Sequence, residues 1–155
     1  MDFAAIPTET SLLIVHTASG RYITPQGRAA GDVEVRLWRE NVVSQDKREM
    51  WEIYPVDGSG LVRFKNTGTE RCLTLKEEHS NAVVFQTAWD ENSRGQLWRL
   101  VRLDPAQADF VIASALNENL VISPREGSHE GETTLEVEDK GPWTDQFWRW
   151  RTPRG

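Results

Sequence analysis

The stretch Gln146-Phe147-Trp148-Arg149-Trp150-Arg151 decides how this chain is read. Two others look like it: Gln96-Leu97-Trp98-Arg99-Leu100-Val101 and Glu49-Met50-Trp51-Glu52-Ile53-Tyr54. Trp98 follows Trp51 by 47 positions and Trp148 follows Trp98 by 50, each close to a third of the 155-residue chain. After each Trp, polar and apolar residues alternate, the mark of a half-buried strand. Self-similarity at this period marks a repeat architecture.

The match extends upstream of each Trp. Tyr22-Ile23-Thr24, Cys72-Leu73-Thr74 and Leu120-Val121-Ile122 are short apolar strands. Each is preceded by another: Leu13 to Thr17, Val62 to Asn66 and Val111 to Ser114. A third strand lies before each Trp: Val33 to Trp38, Val83 to Trp89 and Thr133 to Glu138. Each repeat thus holds four short strands at about ten-residue spacing, separated by Gly, Pro, Asn and Asp, which is an all-β signature. Twelve strands in three units predict a closed barrel with a hairpin cap and pseudo-threefold symmetry. No unit buries its apolar face alone, so the three share one core. The chain is read as a single domain over residues 1–155, with repeats at about 11–57, 60–104 and 109–152. Asp57-Gly58-Ser59-Gly60 and Asp104-Pro105-Ala106-Gln107 join repeats within it.

Composition narrows the function. Eighteen basic against 24 acidic residues give a net charge of −6, which argues against nucleic acid, where affinity rests on Lys and Arg. No apolar run approaches the ~20 residues of a membrane span. The N-terminus lacks the basic and apolar segments of a secretory signal, so a cytoplasmic location, or release without a signal peptide, is expected. Cys72 is the only cysteine, on an apolar strand, and reads as a small buried hydrophobe. His16 reads as a structural histidine, and His79 and His129 as solvated loop residues. The carboxylates from Glu126 to Asp139 read as a solvated acidic face. No nucleophile elbow, zinc-protease helix, phosphate loop or dinucleotide fingerprint occurs, and no cofactor or metal is expected.

Three repeats of 40–50 residues, two ending in Gln-x-Trp and one in Glu49-Met50-Trp51, resemble the ricin B-chain-like lectins over about residues 11–152. The resemblance implies a β-trefoil and a non-catalytic carbohydrate-binding function, with glycans or glycoproteins as partners. The motif Trp residues read as core, each indole N–H needing a buried acceptor. In the resembled family each repeat holds sugar on an aromatic platform at the end of its third strand. An Asp after the second strand and an Asn beside the motif complete the site. Carried over here, the platforms are Trp38 and Trp89, in Trp38-Arg39-Glu40-Asn41 and Trp89-Asp90-Glu91-Asn92. Their polar partners are Thr24 and Asn41 in the first unit and Thr74, Asp90 and Asn92 in the second. The Asp position reads Thr24, Thr74 and Ile122, and the Asn position Arg48, Gly95 and Asp145, so the galactose-type set is complete in no repeat. The third unit has no aromatic platform. A homodimer would raise avidity. The alternative reading is a trefoil protein–protein module, such as a protease inhibitor or a toxin or enzyme accessory subunit. Trp143, in a Gly-Pro loop, is its candidate contact.

Overall fold

The computed structural model describes residues 10–38, 46–102 and 109–152. Its twelve strands fall into three sets of four. The first unit contains β1 (Leu13–His16), β2 (Ile23–Pro25), β3 (Val33–Leu37) and β4 (Trp51–Val56). The second contains β5 (Leu61–Asn66), β6 (Cys72–Leu75), β7 (Val84–Thr87) and β8 (Trp98–Arg102). The third contains β9 (Phe110–Ser114), β10 (Leu120–Pro124), β11 (Leu135–Asp139) and β12 (Trp148–Arg151). Among the described residues no helix is long and apolar enough to cross a membrane.

The first and fourth strands of the units build the barrel. β4 pairs with β5, β8 with β9, and β12 with β1, all antiparallel. Short contacts join these pairs: Leu61 and Val62 opposite Arg99 and Trp98, Phe110 opposite Trp148, and Leu12 opposite Trp51. The last closes the ring and leaves no barrel edge to be protected. The second and third strands form three hairpins, β2–β3, β6–β7 and β10–β11. These meet one another through Val33–Gln86, Arg36–Thr134 and Val83–Glu136, which makes a triangular cap.

The three motif Trp residues sit under this cap, fully buried in one shared core with Ile14, Ile53, Phe64, Leu100, Ile112 and their neighbours. Each indole finds the acceptor its N–H requires, and finds it at the same place. Trp51 Nε1 donates to the Ile23 carbonyl at 2.9 Å, Trp98 to Leu73 at 3.1 Å, and Trp148 to Ile122 at 3.1 Å. An unpaired buried N–H would cost about 1–3 kcal/mol, so these bonds fix which carbonyl each ring meets. They also set the register between units: Ile23, Leu73 and Ile122 are equivalent positions.

A second threefold set lies at the unit corners. His16, Asn66 and Ser114 end the first strands opposite Trp148, Trp51 and Trp98, and all are buried. His16 Nε2 bonds to the Asp145 carbonyl at 2.9 Å and Asn66 Nδ2 to the Arg48 carbonyl at 3.0 Å, the residue just before each motif. A carbonyl only accepts, so Nε2 carries the His16 proton and Nδ1 accepts from Ser19 at 2.8 Å. Burial is the main cause that holds the His16 pKa below its ordinary value. Cys72 is buried too, and burial pushes its thiol up to about 12, so it stays an inert thiol.

Candidate functional site

The platform side chains differ sharply. Trp38 is 5% exposed, packed with Leu13, Val15, Tyr22 and Met50. Its backbone N–H still bonds the Tyr22 carbonyl at 2.8 Å, so it belongs to the hairpin ladder. The Arg28 guanidinium lies 4.5 Å from its ring centroid and covers it. Trp38 is therefore a core residue and not an exposed platform. Thr24 is wholly buried, out of reach of a ligand. Asn41 lies outside the described residues.

The sequence match between Trp38 and Trp89 is itself out of register. Ile23 pairs with Leu37, Leu73 with Gln86, and Ile122 with Val137. The equivalents of Trp38 are therefore Thr87 and Glu138, and Trp89 sits two positions further on. A shift of two keeps a side chain on the same side of a strand but moves it past the strand end. That step separates a buried ring from an exposed one.

Trp89 is held there by the motif glutamine. Gln96 Nε2 donates to the Ala88 carbonyl at 2.7 Å, and its Oε1 accepts from the Asp90 N–H at 2.9 Å, bracketing Trp89. Gln146 does the same to Asp139 and Gly141, at 2.9 and 3.0 Å, bracketing Lys140. Lys140 is thus the equivalent of Trp89 in the third unit. Gly95, beside the latch, runs so close to β6 that a Cβ would lie 2.2 Å from the Leu75 carbonyl oxygen.

Trp89 stands 38% exposed. Tyr54 meets it edge to face, with centroids 5.6 Å apart and planes at 85°. The Arg63 guanidinium lies 5.1 Å from its centroid. Tyr54 and Arg63 face each other across the β4–β5 ladder, on the side away from the core, because Val62 and Phe64 point inward. Arg63 is only 7% exposed. Its Nη2 donates to the Glu91 carbonyl at 3.0 Å and, more weakly, toward Asp90 at 3.4 Å. These residues, with Pro55, Val56, Asp57, Glu91 and Leu97, line an open cavity of about 410 Å³.

Of the sequence-derived site residues, only Trp89 lines this cavity. Asp90 and Asn92 are exposed beside it, tied together by the Asn92 N–H on Asp90 Oδ1 at 2.9 Å. Thr74 is not available: it is buried, and its hydroxyl bonds Cys72 O at 2.9 Å and Thr87 Oγ1 at 2.7 Å. Tyr54 and Arg63 were missed because they come from the hairpin that joins two repeats. Their only sequence signal was an outward-facing aromatic and cation on strands whose other face is core.

The third unit presents different chemistry. Glu138, at the place of Trp38, is half-buried, and burial first, then Glu136 and Asp145, raise its pKa above the ordinary carboxylate range. Trp143 is 56% exposed, with its ring laid so close on Gly141 that a Cβ there would lie 1.9 Å away. A second open cavity, about 320 Å³, lies by Lys76, Glu77, His79, Asn81 and Phe85 on the second unit's hairpin. Among the described residues no group of three or more His, Cys, Asp or Glu is placed to hold a metal ion.

No protein-family model matches the sequence, and no curated protein matches it. Solved structures do. The designed threefold-symmetric protein ThreeFoil superposes with a TM-score of 0.81 at 15% identity, over 90% of this chain and 96% of its own. The fold is a β-trefoil. The Macrolepiota procera ricin B-like lectin, solved with lactose, gives a TM-score of 0.76 at 14% identity, over 97% of this trefoil and 100% of the lectin. The Actinobacillus actinomycetemcomitans cytolethal distending toxin gives 0.74 at 18%, over 95% of each chain.

Proposed function

We propose that this β-trefoil is a non-catalytic carbohydrate-binding protein whose site is the Trp89 groove. The observation that carries the reading is an exposed indole fixed from three directions, by Tyr54, Arg63 and the Gln96 latch, at the mouth of an open cavity with polar walls. A pyranose offers a C–H-rich face and a rim of hydroxyls. It takes a flat apolar platform with a few placed polar groups. Trp89 supplies the platform, Glu91 and Asp57 accept from hydroxyls, and Asp90 and Asn92 stand at the rim. The lactose-bound lectin with the same fold supports the substrate class. The groove is open, so affinity at one site is expected to be weak.

The test is a glycan panel followed through the indole N–H resonance of Trp89 in the folded protein. Saturable shifts at Trp89, absent in Trp89→Ala, are expected. Silence across the panel removes the reading. A protein partner whose binding is lost in Trp143→Ala and kept in Trp89→Ala would instead favour the docking-module alternative.

A further inference from the structure

We infer that the Trp89 groove selects sugars carrying a carboxylate, such as hexuronates or sialic-type acids; this deepens the carbohydrate reading and rests on it. The reason is Arg63. A guanidinium that is 93% buried normally has a carboxylate or equivalent partner, since burying an unpaired charge is costly. Among the described residues none lies within ion-pair distance of Arg63. Its Nε is buried without a hydrogen-bond partner, and Nη2 is bonded to main-chain carbonyls alone.

The first unit shows the contrast at the terminal nitrogens, since Arg28 Nε is likewise buried without a hydrogen-bond partner. Arg28 also lies over an indole, Trp38, but there Nη1 pairs with Asp46 at 3.1 Å and Nη2 with Glu49 at 2.5 Å. That indole is buried and that cation is neutralised from within. In the second unit the indole is open, the cation has no anion among the described residues, and both line one cavity. The missing anion is supplied from outside.

The cavity also fixes what kind of anion fits. Glu91 and Asp57 share its walls, so a compact dianion such as phosphate would face two like charges. A sugar acid spreads its chemistry better. Its one carboxylate meets Arg63 in a charge-assisted pair, its hydroxyls donate to Glu91 and Asp57, and its C–H face meets Trp89.

The experiment compares matched ligands on the unmodified protein: methyl β-D-glucuronide against methyl β-D-glucoside, the methyl glycoside of N-acetylneuraminic acid against its carboxamide, and acetate alone. The Trp89 indole N–H and the Arg63 Nε–H resonances are followed. The acid of at least one pair is expected to bind about tenfold or more tightly than its neutral twin, the effect of one charged hydrogen-bonded pair, and to shift Arg63 Nε. The pair that responds says which sugar class is the source. Arg63→Lys, checked for an unchanged fold, is expected to erase most of that preference. Equal binding of both members overturns the inference and leaves the carbohydrate reading standing. Preference that survives in folded Arg63→Lys, or acetate binding as tightly as the acids, also overturns it. Silence of every sugar removes both.

Discussion

The first and second units share a plan and use it oppositely. In both, an arginine lies over an indole at the end of a cap hairpin. In the second, Gln96 uses its amide to hold the backbone on both sides of Trp89, and the ring faces solvent. In the first, Glu49 stands in the same motif position and has no amide N–H to donate. Its Oε1 instead accepts from the Tyr22 hydroxyl at 2.9 Å, and its Oε2 pairs closely with Arg28, out of line for a hydrogen bond. One change of side chain converts the motif from a loop latch into a core ion pair. The difference shows that a repeated fold does not imply a repeated site.

The largest expected effect tests burial. Trp38→Ala should cost about 3–5 kcal/mol, the usual range for emptying an aromatic site in a core. Trp89→Ala should cost under about 1 kcal/mol, as for exposed positions, while abolishing the glycan response. Urea denaturation of the two variants measures this, and equal losses would break the contrast.

The next effect exchanges the motif residues. Gln96→Glu places a carboxylate against the Ala88 carbonyl and should cost about 1–3 kcal/mol, with glycan affinity falling because Trp89 is no longer held. Glu49→Gln should cost a similar amount, by leaving Arg28 with Asp46 alone, but should leave glycan affinity unchanged. Calorimetric melting together with a binding titration separates the two. If both variants bind as the parent does, the latch is not what positions Trp89.

The smallest effect compares the unit corners, His16 and Asn66. His16 has a lowered pKa in the fold, chiefly through burial. Its contribution to stability is complete above the unfolded value of 6.5 and is lost as pH falls below it, because the unfolded chain takes the proton first. Denaturation midpoints measured from pH 7.5 to 5 should decline less in His16→Asn, which makes the two corners alike. An unchanged decline would assign the acid sensitivity to other groups.

The fold was legible because its determinants are periodic. Three Trp residues at near-equal spacing, each followed by alternation, carry the core and its register. The site was legible only at Trp89. Its neighbours Tyr54 and Arg63 come from the β4–β5 hairpin, and no local pattern ties residues 54, 63 and 89 together. The likeness of Trp38-Arg39-Glu40-Asn41 to Trp89-Asp90-Glu91-Asn92 misled by two positions, because the alignment of side chains is set by hydrogen bonds from Trp51 and Trp98 to carbonyls 28 and 25 residues upstream. Thr74 satisfied the expected chemistry but not the geometry, since its hydroxyl was already taken by the hairpin.

The pairing of β1 with β12 also bears on how the molecule is made. Leu13 meets Arg151 and His16 meets Trp148, contacts between opposite ends of the described chain. During synthesis β1 must wait for the strands between it and β12 to emerge before its neighbour exists. Long-range closure of this kind is slow, and an unsatisfied strand invites pairing with other molecules. Protection against premature association on the ribosome is therefore as much a demand on this sequence as the stability of the finished shell.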